Sequence, residues 1–358
     1  MQVVETNRRG HATRFAEDAA RRGIDVVVAY GGDGTLNEVA TGIATTDTAL
    51  AVLPGGSTNV FARTLGMPND ALEAIDLIIE ALSRNDISPI GLGRANGRFF
   101  TFHTGIGYDA AVVRWVEQRA ALKRYAGHPL FVAAALRTWA LDYDKKRPHF
   151  SVDFGNNSQV PNAYFSIVMN TNPYTYLGTR PFDIVPSTDL SSGLSVVTFT
   201  SLKATHVLRT MASALRGGGV PSYPWLDIRT NVRSLRVSDS RAFPYQLDGD
   251  YATTVGGVAT INISNQGFGY TKAPTVTIIG DGTGATAYAV LAAGRIVSLV
   301  VTNPGFNYTQ AIVQITPAAG DTSGALGYAD AVLEGSIGTL RTYYYFNNTK
   351  TIDKKPNT

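Results

Sequence analysis

The chain of 358 residues contains no cysteine, which excludes a disulfide framework, a thiolate metal site and a cysteine nucleophile. It also lacks any run of 18 apolar residues. The candidate Leu130 to Leu141 is short and broken by Arg137, so no membrane span is expected. Neither charge sign is in excess: 31 basic against 28 acidic residues leave +3, too balanced to point to nucleic acid. Histidine is scarce, and His11, His103, His128, His149 and His206 show no metal-ligand spacing. The segment MQVVETNRRG has no apolar core of a signal peptide. What is present, 44% hydrophobic and 16% charged, describes a packed cytoplasmic protein of two or three domains.

Composition divides the chain near residue 250. Every histidine, tryptophan and methionine precedes residue 226, and residues 251–358 hold 11 charged residues in 108 against 48 in the first 250. This tail is rich in Gly, Thr, Ala, Val and Asn, and it repeats. NQGFGYT (Asn265 to Thr271) returns as NPGFNYT (Asn303 to Thr309), and GDGTGA (Gly280 to Ala285) returns loosely as GDTSGA (Gly320 to Ala325). Alternating runs between them predict an all-β repeat module with Asn-Gly turns. Its turn aspartates are read as turn formers, since a calcium site needs six or more oxygen ligands.

Upstream, residues 10–22 have helical spacing with Gly23 as a stop. IDVVVAY (Ile24 to Tyr30) reads as a strand buried on both faces, GGDG and a helix follow, and LAVLP (Leu50 to Pro54) is the next strand. After GGSTNVFARTLG comes the helix Ala71 to Leu82. This alternation predicts a parallel α/β sheet over residues 1–85. Residues 86–250 read as a β-rich lobe around a helical region at about 108–142. Its strands are RFFTFHTG, HFSVDFG, AYFSIVMN, LSVVTFT and SLRVSD, and a cleft separates the lobes.

The strongest chemical signal is GGDGTLNEV (Gly31 to Val39). Glycines at a strand end let backbone approach a phosphate, and the following helix N-terminus favours an anion. Asp33 would repel phosphate unless a cation lies between them, which implies Mg²⁺; the alternative is a tight turn with Asp33 as a helix cap. PGGSTNVFAR (Pro54 to Arg63) repeats the geometry on the next strand, where Ser57, Thr58 and Asn59 can donate to phosphate or nucleotide. Asp109 can instead cap the helix near Ala110, and Asp248 and Asp250 around Gly249 can form a surface turn. The pairs Arg8–Arg9 and Arg21–Arg22 read as a solvated face, with anionic lipid or ATP as the other reading.

GGDGTLNEV, PGGSTNVFAR, TGIGYDA (Thr104 to Ala110) and LDGD (Leu247 to Asp250), in that order, resemble the diacylglycerol kinase catalytic domain family, which includes bacterial lipid kinases and sphingosine and ceramide kinases. Lys123 to Trp139 and Asn172 to Pro186 also resemble bacterial members. The resemblance implies ATP-dependent phosphorylation of a lipid hydroxyl at a membrane surface. It implies a nucleotide-binding lobe with a truncated parallel sheet, a β-sandwich lipid lobe, and catalytic residues Asp250, Asp33 and Asp109. Asp250 would accept the proton, Asp33 would hold Mg²⁺, and Asp109 would lie near the acceptor headgroup. Thr6, at the end of the first strand, with Gly31, Gly32, Asp33, Gly34, Thr35, Leu36, Asn37, Gly56, Ser57, Thr58 and Asn59, would bind ATP.

Three departures from the family pattern stand out. The chain opens on what looks like the second strand, which predicts an exposed sheet edge and a weakened ATP site. YATTVGGVATINIS follows Asp250 where the family has strands closing the lipid lobe, and Ser192 and Val60 replace family aspartates, so a structural Mg²⁺ at Ser191 to Ser195 is doubtful. Residues 251–358 resemble glycine-rich repeats of phage tail or baseplate proteins, as does Thr339 to Ile352. The competing functional expectation is therefore a phage-type structural or adhesion protein carrying an inactive kinase fragment. A third is a kinase of NAD or a sugar, which PGGSTNVFAR and TGIGYDA disfavour. Beyond lipid, the expected partner is a second copy through sheet edges or tail repeats, and the expected location is cytoplasmic, peripheral to membrane.

Overall fold

Two glycines bound the first helix. Gly10 (φ 80°) precedes α1 (His11–Arg21) and Gly23 (φ 69°) follows it, both in the left-handed region that suits a residue without Cβ. The computed structural model describes residues 2–95, 98–119, 130–131, 133–239, 243–253, 257–280, 282–306, 308, 311–319, 321, 328–344 and 350–352. At the start of α1, Gly10 N and Ala12 N donate to Glu38 Oε1 and Oε2 at 2.9 and 3.1 Å, so Glu38 closes the helix from α2 (Asp33–Ile43). The two helices cross at Gly42, where a Cβ would stand 2.5 Å from Thr13 O.

Strand β1 (Val26–Gly31) pairs in parallel with β2 (Ala49–Pro54), from Val26 opposite Ala49 to Gly31 opposite Pro54. The expectation of burial on both faces fails for β1, where Val28 is 48% and Tyr30 67% exposed, whereas β2 is buried along nearly its whole length. Among the described residues β1 pairs with β2 alone, so the expected exposed edge is there and one face of β1 is uncovered. Residues 2–7 form no strand, and Thr6 is exposed; with no ladder to receive its backbone groups, the expected first strand does not form. Helix α3 (Val60–Thr64) and helix α4 (Ala71–Ser83) lead to β3 (Ile87–Pro89). Asp70 caps α4, accepting from Leu72 N at 2.8 Å and Glu73 N at 3.1 Å.

The second region opens with β4 (Gly91–Ala95), β5 (Arg98–Phe100), β6 (His103–Gly107) and α5 (Tyr108–Glu117). Of the expected helical region, residues 120–129 and 132 lie outside the described residues, His128 with them; a π-helical turn covers Thr138–Asp142. Next come β7 (Phe150–Asp153), β8 (Gln159–Ala163), β9 (Phe165–Met169), the hairpin β10 (Thr175–Leu177) and β11 (Arg180–Phe182), and β12 (Leu194–Phe199). Helix α6 (Ala204–Arg216) precedes β13 (Leu226–Val232), β14 (Ser234–Asp239), β15 (Pro244–Leu247) and β16 (Asp250–Thr253). One sheet runs β13-β12-β9-β6-β15-β16. Its inward residues Ile106, Val168, Leu194, Val196 and Leu247 share a core with Phe150, Val152, Val160, Leu235 and Val237 from β7, β8 and β14.

The tail contributes β17 (Gly257–Asn265), β18 (Thr275–Gly280), β19 (Thr283–Ala292), β20 (Arg295–Phe306), β21 (Ala311–Thr316), β22 (Tyr328–Tyr344) and β23 (Lys350–Ile352). The repeat has a local cause. Asn265 Oδ1 accepts Gly267 N and Asn303 Oδ1 accepts Gly305 N, both at 2.9 Å, with the glycines at φ 63° and 64°, and Tyr270 and Tyr308 are both buried in the module core. Asp321, expected only to form its own turn, instead accepts the backbone N–H groups of Thr271 and Lys272, so its side chain joins two turns of the tail. The tail is not closed on itself: β22 pairs with β17 and β21 at one end and with β14 and β4 at the other, while β23 lies between β2 and β3.

Candidate active site

Two parallel strands deliver both glycine loops to the same end of their sheet. Gly55 N donates to Gly31 O at 2.8 Å beyond the last strand pair. The backbones then touch: a Cβ on Gly56 would lie 2.6 Å from Gly32 Cα, and one on Gly55 would lie 3.0 Å from Gly31 Cα. These glycines are required by the loops' approach to each other. Asp33 joins them. Its carboxylate accepts Phe61 N at 3.0 Å and Val60 N at 3.1 Å, so it caps α3 across the gap rather than its own helix. Asn59 (φ 51°) completes the second loop, accepting Gly56 N at 2.8 Å and donating to Gly56 O at 2.9 Å and Asn69 Oδ1 at 2.7 Å.

The structure therefore brings together Gly31, Gly32, Asp33, Gly34 and Thr35 with Gly56, and leaves Ser57 exposed and Thr58 half-buried beside them. It does not bring Thr6, Leu36, Asn37 or Asn59 to that surface as free side chains. Leu36 is in the core, Asn59 is buried in its own loop, and Asn37 is buried with its amide donating to Phe99 O at 2.9 Å and Asp248 Oδ2 at 2.8 Å.

LDGD is a two-residue hairpin. Leu247 pairs with Asp250, and the central residues Asp248 (φ 48°) and Gly249 (φ 84°) are both left-handed, the conformation that favours Asp-Gly. Asp248 nevertheless points inward. Besides Asn37 it accepts Thr101 N at 2.5 Å, Thr101 Oγ1 at 2.7 Å, Phe102 N at 3.0 Å and His103 N at 3.1 Å. Burial pushes its carboxyl up to about 6, against the pull of those donors toward the charged form. Asp250, on the other side of the turn, keeps 21% of its side chain in solvent and pairs with Arg98 Nη2 at 2.7 Å and Arg9 Nη2 at 3.5 Å. Arg9 also binds Glu117 at 2.9 Å, which together with Asp250 raises its pKa.

Asp109 does not cap α5, which begins at Tyr108. It is buried, accepting Tyr174 OH and, at 2.6 Å, Gln246 Nε2; burial raises its pKa. A Cβ on Gly105 would stand 1.7 Å from Asp109 Oδ2, which is why TGIG carries a glycine there. Gln246 Oε1 accepts Gly249 N at 2.7 Å, so one fixed amide links Asp109 to the turn bearing Asp250. His103 packs on Tyr174 at 4.3 Å between ring centres, and its Nδ1 has no hydrogen-bond partner among the described residues. Burial drives its pKa down to about 3, so it is neutral. Gln246, Arg98 and Glu38 escaped the sequence reading, while Asp248, expected in a surface turn, does sit in the turn but has its carboxylate buried; the Asp-Gly pair was the one legible sign of its conformation.

Residues 1–94 match the diacylglycerol kinase catalytic domain. Over 253 residues the chain is 29% identical to a diacylglycerol kinase of Bacillus subtilis, covering 69% of this chain and 78% of that protein. A diacylglycerol kinase of Staphylococcus aureus is 44% identical over 97 residues, 26% of this chain and 30% of its own length. In fold, the chain is similar to a putative diacylglycerol kinase from Bacillus anthracis, with a TM-score of 0.54, 22% identity and coverage of 71% and 80%. The recognised family resemblance thus extends beyond the motifs to mixed α/β architecture followed by many strands.

Proposed function

We propose that this chain is a lipid kinase that transfers the γ-phosphoryl group of ATP to a hydroxyl of diacylglycerol or a related lipid. The observation that carries the reading is the pair of glycine loops locked side by side by Asp33 at the carboxyl ends of two parallel strands. Residues 1–85 would form the nucleotide-binding lobe, 86–250 the lipid lobe, and 251–358 the β-repeat module.

Gly31 to Thr35 and Gly56 to Thr58 would cradle the phosphates. Among the described residues no three acidic or imidazole side chains gather to hold a metal ion. Asp33, whose carboxylate lies between the two glycine loops and accepts Val60 N and Phe61 N, would help to hold a metal that arrives with the nucleotide. Mg²⁺ held there would neutralise charge on the phosphates. Asp250 accepts the proton as the lipid oxygen bonds to the γ-phosphorus and the bond to ADP breaks. Asp109, beside Tyr174 and Gln246, would orient the acceptor headgroup.

No helix among the described residues is long and apolar enough to cross a membrane. Exposed Leu136 and Leu141 flank Trp139, whose Nε1 donates to Leu202 O just before α6, and Leu208 and Met211 of α6 are exposed too. These exposed apolar side chains support an enzyme that works at a membrane surface. Kinase relatives over most of the matched length favour this reading over a phage-type protein with an inactive fragment.

The test is transfer from labelled ATP to diacylglycerol in mixed micelles. Asp250→Asn should lower turnover by ~10²–10⁴ while leaving Mg–ATP binding intact. Undiminished transfer by the variant would remove Asp250 as the base.

A further inference from the structure

Gln246 is a fully buried polar side chain in a strand whose neighbouring residues, Tyr245 and Leu247, fill an apolar core. It therefore faces the other side of the sheet, where α5 brings Asp109. Gly105 stands directly opposite it in the β6–β15 pair, and the missing Cβ there leaves room for the Asp109 carboxylate. The two ends of the amide meet different groups. Oε1 accepts Gly249 N at 2.7 Å, and Nε2 donates to Asp109 Oδ2 at 2.6 Å. This orientation is forced, because a backbone N–H can only donate and so must meet the amide oxygen.

Both partners belong to the reacting region. Gly249 precedes Asp250, and its N–H lies at the centre of the turn, outside the β15–β16 ladder. The other oxygen of Asp109 accepts Tyr174 OH, so that carboxylate is held from two sides. We propose that Gln246 is a positioning residue that locks Asp109 and the Asp250 turn in one geometry, aligning acceptor headgroup and base. Its effect on turnover rests on the lipid-kinase reading; the lock itself does not.

Only a neutral amide offers a donor to Asp109 and an acceptor to Gly249. Gln246→Glu keeps the shape but sets a second carboxylate against Asp109, and two such groups hold one proton between them. That proton restores the missing donor. Facing Asp109 are also His103 of β6, Tyr108 of α5 and Tyr174. Facing the turn are Asp248, Asp250 with Arg98 and Arg9, and Arg114 and Glu117 of α5. All of these are common to parent and variant, so the ratio of the two at each pH isolates the new pair.

In the diacylglycerol micelle assay, Gln246→Glu should approach parent turnover near about pH 5 and fall away toward about pH 8, and its urea stability should follow the same course. Gln246→Met should lower kcat on the order of 10²-fold at every pH, with KM for Mg–ATP unchanged. Asp109→Asn combined with Gln246→Glu rebuilds the bond with its polarity reversed, the new amide donating to the new carboxylate. That double variant should recover the stability that Gln246→Glu alone loses at high pH. Hydrogen exchange of the Gly249 amide, read by NMR, should be slow in the parent and at least ~10-fold faster in Gln246→Met. A pH-independent ratio of Gln246→Glu to parent, no recovery in the double variant, or fast Gly249 exchange in the parent would each overturn the proposal. A parent that transfers no phosphoryl group would instead end the kinase reading, and Gly249 exchange with the double variant would still decide the lock.

Discussion

Asp248 and His103 are adjacent buried groups whose titrations oppose each other. Asp248 holds its proton more tightly folded than unfolded, so its contribution is full at low pH and is lost as pH rises through about 6. His103 is depressed to about 3, so its contribution is full above its ordinary value and is lost as pH falls toward 3. Each effect is on the order of a few kcal/mol. His103→Phe retains a ring against Tyr174 and removes only the second effect. Urea unfolding should show the variant gaining stability relative to the parent as pH is lowered from 7 to about 4. A pH-independent difference would mean that His103 is solvated or partnered on folding.

At the scale of elements, the glycines of the two loops separate by what a methyl group would meet. Gly56 faces backbone, Gly32 Cα at 2.6 Å, and backbone cannot swing aside. At Gly34, within α2, an added methyl group would meet nothing within 4 Å. Gly56→Ala should therefore cost ~1–3 kcal/mol and weaken Mg–ATP binding by parting the loops. Gly34→Ala should be neutral or stabilising by up to ~1 kcal/mol through its helix propensity. Thermal melts with and without Mg–ATP check both, and equal effects from the two alanines would contradict the packed-loop account. The same local logic made the tail repeat readable. Asn and Gly at fixed spacing encode one turn geometry twice, and the tyrosines that follow fill one core.

Across the whole molecule, Asn37 of α2 and Asp248 of the hairpin form a buried hydrogen bond between residues 211 positions apart, fixing α2 against the β15–β16 turn. Arg63 adds an outer link, lying over Tyr176 at 3.4 Å and donating to Gly178 O at 3.0 Å. Asn37→Leu leaves a carboxylate and a carbonyl short of a donor, and should cost ~1–3 kcal/mol. It should also lower kinase turnover more than Mg–ATP affinity, because it loosens the turn carrying Asp250 while the glycine loops stay closed by Asp33. Equal losses in both would show that Asn37 acts through the nucleotide loops instead.

The helices α1, α2 and α4, strand β2, the main strands of the second region, the repeat turns and the ordered kinase motifs were all determined by sequence alone. Each depends on periodicity, chirality and turn chemistry among residues close in the chain. Tertiary structure alone decided which side chains those elements could bury or free. Val28 is exposed because that face of β1 is left uncovered among the described residues, Asp33 is turned to α3, Asp248 is buried by residues about 145 positions away, and β22 returns to the second region. Burial and hydrogen-bond partnership are properties of pairs distant in sequence, so local pattern carries no record of them.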